Sequence, residues 1–314
     1  MAPNSDPLIR AQTHLASAKR IVFFTGAGMS AESGIPTFRD ALTGLWEHFD
    51  PEQLATPQGF LHDPSLVWGW YEWRRMRALQ ALPNAGHLAI ADFAAQHREC
   101  SPDVTINVIT QNVDNLHDRA GSIDVTHLHG SLFAHRCFRC ASPARAEDIA
   151  ETPDEPEGGR RIDPPRCRRC ADLIRPGVVW VGEALPKASF DHATALIDEC
   201  DVLVVVGTSG VVQPAAGLVG DAIAMNKTVI VVDPGVSAWQ QGACICAAPL
   251  HQHCHCFSLS QQTPHLLRQL LNLVNKWLAG KRWPPKIECS NDAPGQARTV
   301  RRAFPARDSN RATA

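Results

Sequence analysis

Long apolar runs are missing from this sequence of 314 residues. No stretch approaches the roughly 20 consecutive apolar residues that a membrane-spanning helix needs, so we expect no membrane partner. The N-terminal segment lacks the apolar centre of a secretory signal. Aromatic residues are scarce at 6%, with Tyr71 the single tyrosine, but a hydrophobic content of 44% is enough for a sizeable core. These features predict a cytoplasmic globular protein.

A strong excess of either charge is also missing. The net charge is −2, from 30 Lys and Arg against 32 Asp and Glu. The segment from Lys281 onward holds eight basic and three acidic residues, so the rest of the chain is mildly acidic. A mildly acidic body favours basic protein surfaces as partners. We expect no direct nucleic-acid binding, and the sequence leaves the oligomeric state open.

Eleven cysteines make an odd number, and four of them form two C-x-x-C pairs separated by 26 residues: Cys137, Cys140, Cys167 and Cys170. In a cytosolic chain such pairs indicate metal rather than disulfides. Four thiolates at this spacing can close a tetrahedral Zn²⁺ site, and a closed shell makes the metal structural. Two pairs of free, buried cysteines are one alternative. A zinc ribbon that binds nucleic acid is another, but it leaves the rest of the chain unexplained.

A second group of cysteines and histidines occupies residues 244–256. Its spacing fits no standard zinc pattern, and alternate positions of a strand face opposite ways. Metal binding in this segment is therefore a hypothesis with less support than the site of the paired cysteines.

The chain is organised around residues 21–40. Four apolar residues, 21–24, predict a buried strand, and Thr25-Gly26-Ala27-Gly28 predicts a tight turn. Ser30, Ala31 and Glu32 can open a helix whose N–H groups favour a phosphate. A strand, a glycine turn and a helix in this order are typical of a dinucleotide site, although similar turns also occur without a ligand.

Apolar strands and helical patterns alternate along the chain, which predicts an α/β fold: a Rossmann-like, doubly wound parallel sheet with a smaller zinc-binding and helical domain. Strands are predicted at 104–110, 124–129, 178–181, 202–206 and 228–232. The predicted organisation is a loose N-terminus at 1–10, a Rossmann-like domain at 11–40, 104–130 and 176–280, a helical insert at 41–103, a zinc-binding module at 131–175 and a disordered basic tail at 281–314.

Five segments together resemble the sirtuins, the NAD-dependent protein lysine deacylases. They are the glycine turn with its extension through Ser33-Gly34-Ile35-Pro36-Thr37-Phe38-Arg39-Asp40, Gln111-Asn112-Val113-Asp114, Leu128-His129-Gly130, the two cysteine pairs, and Gly207-Thr208-Ser209. They follow the family's order along the chain. The resemblance implies NAD as co-substrate, acyl-lysine proteins as substrates, and one structural Zn²⁺ held by the paired cysteines.

The resemblance also implies roles for single residues. His129 is the implied general base, with Asn112 as the second catalytic residue, because a ribose hydroxyl must be activated after nicotinamide leaves. The residues implied to bind NAD are Gly26, Ala27, Gly28, Ser30, Glu32, Phe38, Arg39, Trp46, Gln111, Asn112, Asp114, His129, Gly207, Thr208, Ser209 and Asp233. Without the resemblance, a lone histidine at a strand end is more often structural.

Tyr71 and Arg74 lie three residues apart, on one face of a predicted helix. Alone they indicate an interfacial tyrosine and a solvated arginine, but this Tyr-x-x-Arg resembles the class III sirtuins, where the pair binds acidic acyl groups. A guanidinium can bind a carboxylate through two hydrogen bonds. The resemblance therefore implies removal of succinyl, malonyl or glutaryl groups in preference to acetyl. In the segment that resembles the peptide-binding strand, the implied substrate-binding residues are Val179, Val181, Gly182 and Glu183.

Three positions depart from the family pattern. Gly177 stands in place of His or Asp, Val181 in place of Phe, and Asp233 in place of Asn. The open alternatives are a deacetylase, a mono-ADP-ribosyltransferase and, outside the enzymes, a non-catalytic NAD-binding regulator. The complete set of implied catalytic residues around His129 argues against a regulator.

Overall fold

A computed structural model describes residues 7–36, 51–101, 103–145, 147, 149, 161–233, 254–258 and 267–269. The chain divides into residues 1–281 and 282–314, and every described residue belongs to the first unit. The predicted basic tail lies outside the described residues. None of the helices in the described ranges is long and apolar enough to cross a bilayer.

The described residues include eight strands and nine helices, and residues 267–269 are also helical. The strands are β1 Arg20–Thr25, β2 Thr105–Thr110, β3 Val125–His127, β4 Gly130–Cys137, β5 Ile174–Val178, β6 Val202–Val206, β7 Thr228–Asp233 and β8 Cys254–Ser258. The helices are α1 Pro7–Ser17, α2 Gly28–Ala31, α3 Pro51–Leu54, α4 Pro57–His62, α5 Pro64–Gln80, α6 Ala85–Cys100, α7 Leu116–Ala120, α8 Lys187–Glu199 and α9 Gly217–Ala224.

Six parallel strands make the central sheet, in the order β3-β2-β1-β6-β7-β8. The chain moves outward from β1 to β3 on one side and continues from β6 to β8 on the other. The order of the strands therefore reverses between β1 and β6. In open α/β sheets, ligands bind at such a point, outside the carboxyl ends of the strands.

Helices cover both faces of this sheet because its central strands are apolar on both sides. On one face Phe23 packs with Leu15 of α1 and Phe93 of α6. On the other face Phe24 packs with Ile197 of α8 and with α9. This arrangement confirms the predicted doubly wound α/β fold.

A smaller part of the fold consists of α3, α4, α5 and the antiparallel pair β4–β5. Its core joins the helices to the two strands through Phe60, Trp70, Tyr71, Leu132 and Trp180. Helix α5 begins after Asp63, whose carboxylate accepts the N–H of Leu66, and Pro64 occupies its first position. One long helix thus supplies both core aromatics and candidate site residues.

The strand predicted at 178–181 is wrong. The strand in this region is β5, which ends at Val178 and pairs with β4 rather than with the central sheet. Val179 instead donates its N–H to the carbonyl of His129 at 2.8 Å. Val178 and Trp180 are buried in the small core, so their apolar character reflects that core and not a parallel strand.

Two further boundaries differ from the prediction. Helix α1 begins at Pro7, so residues 7–10 are helical and not loose. Proline is favoured in the first turn of a helix, so Pro7 is a sequence signal for this helix start that the prediction of a loose N-terminus overlooked. Strand β3 ends at His127, which leaves His129 in the connection to β4.

Candidate active site

A cavity of about 500 Å³ opens where β1 and β2 end, between the central sheet and helix α5. Twelve of the residues implied by the resemblance line it: Ala27, Ser30, Tyr71, Arg74, Gln111, Asn112, Asp114, His129, Val179, Val181, Gly182 and Glu183. Tertiary structure therefore brings together residues that are separated by more than 150 positions in the sequence.

His129 presents one basic nitrogen. Its Nδ1 lies 2.9 Å from the carbonyl oxygen of Gln111. A carbonyl only accepts hydrogen bonds, so Nδ1 carries the proton and the lone pair is left on Nε2. Burial lowers the pKa of His129 below the 6.5 of a free imidazole. The ring is therefore neutral near pH 7 and able to accept a proton.

Ser30 connects two of the polar residues that follow β2. Its hydroxyl donates to Asp114 Oδ2 at 2.9 Å and accepts from Asn112 Nδ2 at 3.0 Å. The other carboxylate oxygen, Oδ1, accepts the N–H of Leu116, the first residue of α7. Burial raises the pKa of Asp114. These bonds fix the orientation of the amide and the carboxyl.

A second set of hydrogen bonds, absent from the sequence-based prediction, lies beneath Asn112. The backbone N–H of Asn112 donates to Thr110 Oγ1 at 3.0 Å, and Thr25 donates to the same hydroxyl at 2.9 Å. His117 Nε2 lies 3.0 Å from Thr25 Oγ1. Threonine at the last position of both β1 and β2 is the sequence signal that could have identified this support.

The glycines of the turn after β1 pack against the turn after β6. A Cβ added to Gly26 would lie 2.6 Å from the Cβ of Thr208, and one added to Gly28 would lie 2.8 Å from the Cα of Gly207. Gln111 Nε2 donates to Thr208 Oγ1 at 3.1 Å, which connects the segment after β2 to the turn after β6. These four turn residues pack against one another and are not part of the cavity lining.

The helix predicted to follow the glycine turn is a single turn, α2. Glu32 comes after it, is exposed and does not line the cavity. Ser209 is likewise exposed and outside the lining. The described part of the structure therefore does not bring these two predicted residues into the site.

Tyr71 and Arg74 form the α5 side of the cavity. Burial raises the pKa of Tyr71 to about 12 and lowers that of Arg74, so the phenol stays protonated. Arg74 interacts electrostatically with Tyr71 and with Asp114. The guanidinium carbon of Arg74 lies 4.9 Å from the ring centroid of Trp70 and 5.7 Å from that of Tyr71. A partly buried cation and a phenolic O–H thus face the same space as His129.

Glu183 is held by the protein itself. Its carboxylate accepts two hydrogen bonds from Arg175, at 2.5 and 2.9 Å, and one from the N–H of Trp180 at 2.9 Å. The Arg175 guanidinium also stacks 3.4 Å from the centroid of the Trp180 ring. Arg175, which the sequence analysis did not single out, therefore fixes the segment 179–183 at the mouth of the cavity.

The four paired cysteines form a compact cluster. The Sγ atoms of Cys137 and Cys170 are 3.4 Å apart, those of Cys140 and Cys167 are 3.7 Å apart, and all four lie within 4.8 Å of one another. Sulfurs around tetrahedral zinc are about 3.8 Å apart, given Zn–S bonds of about 2.3 Å. The cluster therefore fits one structural Zn²⁺.

Matching turns position the two pairs. The N–H of Ala141 donates to the carbonyl of Cys137 at 3.1 Å, and that of Ala171 to the carbonyl of Cys167 at 2.8 Å. Both alanines have a positive φ, 55° and 58°. Each pair thus closes its own turn, and the thiol groups of the two turns meet.

Several predicted residues lie outside the described residues: Phe38, Arg39, Trp46 and most of the segment 244–256. The side chain of Asp233, at the end of β7, and the side chains of β8 are likewise outside them. Their predicted roles in NAD or metal binding stay predictions.

Comparison with known proteins agrees with this geometry. A family model described as the Sir2 family matches residues 26–214, more than half of the chain. The chain belongs to the Sir2 family. An NAD-dependent protein deacylase 1 of Pseudomonas aeruginosa is 56% identical over 220 residues, which cover 70% of this chain and 85% of the relative. An NAD-dependent protein deacylase of Methylococcus capsulatus is 55% identical over 224 residues, 71% of this chain and 85% of the relative.

Solved Sir2 structures have the same fold. A Sir2 homologue in complex with NAD superposes with a TM-score of 0.71 at 38% identity, covering 86% of this chain and 94% of the other. Sir2Tm bound to a propionylated peptide gives a TM-score of 0.65 at 26% identity, covering 85% and 98%. The resemblance of the five sequence segments to the sirtuins is thus confirmed.

Proposed function

We propose that this Sir2 protein removes acyl groups from protein lysines with NAD as co-substrate, and that it favours succinyl, malonyl and glutaryl groups over acetyl. One observation carries the proposal: His129, Asn112 and Asp114 share a single cavity with Tyr71 and Arg74. The deacylase activity has the further support of relatives that bear this name at 45–56% identity.

As co-substrate, NAD would supply the ribose carbon that bonds to the acyl carbonyl oxygen as nicotinamide leaves. A ribose hydroxyl would then bond to the acyl carbon, and one water would be consumed as the lysine amine is released, so that nicotinamide, O-acyl-ADP-ribose and free lysine are the proposed products. His129 Nε2 takes the proton from a ribose hydroxyl. The hydrogen bond of its Nδ1–H to Gln111 keeps the ring in the tautomer that this step requires. Asn112 and Asp114, oriented through Ser30, are proposed to bind the ribose and the carboxamide.

The acyl preference rests on the burial of Arg74. A guanidinium in a partly buried site gains most from a carboxylate that it can bind with two hydrogen bonds, and the Tyr71 hydroxyl can add a third donor. An acyl group without a carboxylate leaves the cation without that anion, and polar sites reject such substrates strongly. Acetyl-lysine is accordingly the poorer substrate in this proposal.

The same residues bear on the alternative functions. A deacetylase or a mono-ADP-ribosyltransferase would use His129 and the cofactor residues without needing Arg74. A non-catalytic NAD-binding regulator would not need His129 to be a neutral base, whereas the tautomer and the lowered pKa of His129 fit catalysis.

The proposal also includes a cytoplasmic location and acyl-lysine proteins as substrates.

The test is NAD-dependent deacylation of one peptide that carries either succinyl-lysine or acetyl-lysine, with the wild type and with Arg74→Met. We expect the wild type to prefer succinyl, and the variant to lose roughly 100-fold or more in kcat/KM for that peptide. Arg74→Lys, which keeps the charge but not the bidentate geometry, should lose less. A wild type that prefers acetyl would refute the acyl preference and leave the family assignment standing. NAD binding without turnover of either peptide would favour the regulator.

A further inference from the structure

Arg77 is a second arginine in the lining of the same cavity. It follows Arg74 by three residues on α5, as Arg74 follows Tyr71, so each side chain is the neighbour of the next on the helix surface. Residues at this spacing have Cβ atoms about 5–6 Å apart. Arg77 stands among several arginines near the end of α5, and nothing in the sequence pattern sets it apart.

The charges of the cavity lining are not balanced. Two of its residues are acidic, Asp114 and Glu183. Glu183 is neutralised by Arg175 through two hydrogen bonds, and Asp114 interacts with His127, which is outside the lining, as well as with Arg74. Within the described ranges, Arg77 has no carboxylate partner and its side chain is exposed. A cation is therefore left over at the cavity wall.

The neighbouring Arg75 shows the contrast. It points to the protein interior, where its guanidinium donates three hydrogen bonds of 2.7–3.1 Å to the buried carboxylate of Glu72. Glu72 also lies 3.3 Å from Nε2 of His135 on β4. The arginines of α5 thus differ in direction: Arg75 is bound to Glu72, which contacts β4 through His135, whereas Arg74 and Arg77 line the cavity.

We propose that Arg77 is a specificity-determining residue that, beyond Arg74, forms a second carboxylate subsite for longer dicarboxylic acyl groups, with glutaryl the preferred one. This inference rests on the proposed function, because it requires the acyl group to enter along α5. A short malonyl group ends at Arg74. A chain lengthened by methylene groups carries its carboxylate farther along the same helix face, into reach of both guanidinium groups. Charge-assisted hydrogen bonds to a second cation then offset the greater flexibility of the longer chain.

The anion at Arg77 could also be the diphosphate of NAD, and the experiment separates the two sources. Malonyl-, succinyl-, glutaryl- and acetyl-lysine forms of one peptide are compared for the wild type, Arg77→Gln and Arg77→Lys, with the acetyl peptide as internal reference. The KM for NAD is measured for each protein. Arg98→Gln is the control: it makes the same charge change at an exposed residue of α6 that is outside the cavity lining.

We expect the wild type to favour glutaryl, and Arg77→Gln to lower its glutaryl-to-acetyl ratio of kcat/KM roughly 3- to 10-fold, with a smaller effect on malonyl. Arg77→Lys should recover part of the loss, and Arg98→Gln should keep the wild-type profile. An unchanged profile in Arg77→Gln would overturn the inference while the acyl preference stands. A higher KM for NAD, equal for all four peptides, would also overturn it and assign Arg77 to the diphosphate. A wild type that prefers acetyl would reject both the acyl preference and this subsite.

Discussion

His129 can act as a base only while its Nε2 is unprotonated, so its pKa sets the acid side of the activity profile. Burial lowers that pKa from 6.5, which means that protonation, and with it the loss of activity, requires a more acidic solution than for a free imidazole. We expect kcat/KM to be constant near neutrality and to decline as the pH falls below 6.5. Initial rates with one acyl peptide across that range measure it.

His129→Ala is the control for this profile. It should lose turnover and keep NAD binding, as titration calorimetry can measure, because the imidazole is proposed to act in the chemical step. A decline with its midpoint above pH 6.5 in the wild type, or substantial turnover by the variant, would contradict the role of His129 as the base.

Gly177 is required by packing, which explains one departure from the family pattern. A Cβ at this position would lie 1.7 Å from the carbonyl oxygen of Ala134 on β4. Gly177→Ala should therefore lower the free energy of unfolding by about 2 kcal/mol or more, since backbone must move to accept the methyl group. Gly220→Ala on α9, where nothing lies within 4 Å, should be neutral or stabilising. Urea denaturation of both variants gives the comparison, and equal stabilities would refute the packing argument.

Among secondary-structure elements, α6 is connected to the cofactor turn by its N-cap. Asn84 accepts the N–H groups of Gly86 and His87 at 3.0 and 3.3 Å, and its own Nδ2 donates to the carbonyl of Met29 in α2 at 2.8 Å. One side chain thus caps a long helix and holds the one-turn helix that contains Ser30.

We expect Asn84→Ala to lower the free energy of unfolding by about 1–2 kcal/mol, because it removes the cap and leaves the Met29 carbonyl without its donor. Asn84→Asp keeps an acceptor for the cap but not the donor, so it should cost less stability and still weaken the hold on α2. Thermal unfolding, together with the KM for NAD, separates the two effects. Equal losses of stability in both variants would contradict a capping role.

Elements were predicted best where one local pattern determined them. The apolar runs of β1 and β6 and the proline-bounded helices α4 and α5 follow from short stretches of sequence. The strand predicted at 178–181 was wrong because a short apolar run does not reveal which core it enters. Val178 and Trp180 belong to the core of the small sheet, a partner that is distant in the sequence.

For the whole molecule, the separation of the cores predicts a local response to metal removal. The central sheet has its own apolar clusters on both faces, whereas the cysteines share a cluster with Trp68 and Ile174 at the end of the β4–β5 pair. The central sheet does not depend on the thiol groups for its packing. Structural zinc sites contribute directly to the stability of the segment that they close.

We therefore expect a strong chelator to abolish amide-exchange protection in β4, β5 and the cysteine turns while β1 and β6 stay protected. Hydrogen exchange followed by mass spectrometry measures this difference, and Cys167→Ser should have the same effect without a chelator. A uniform loss of protection across both sheets would refute the separation of the two parts.

The sequence by itself determined the family, the doubly wound class of fold and the cysteine cluster. Each of these can be recognised within short stretches of sequence: glycine turns, apolar strands and fixed Cys spacings. Through the resemblance to the sirtuins the sequence also pointed to His129, Asn112 and Asp114 as candidate site residues. Only the tertiary structure decided which nitrogen of His129 is basic, that Glu183 is held by Arg175, and that Glu32 lies outside the cavity. Those properties depend on hydrogen bonds, burial and packing between distant segments, and neither periodicity nor spacing along the chain encodes such contacts.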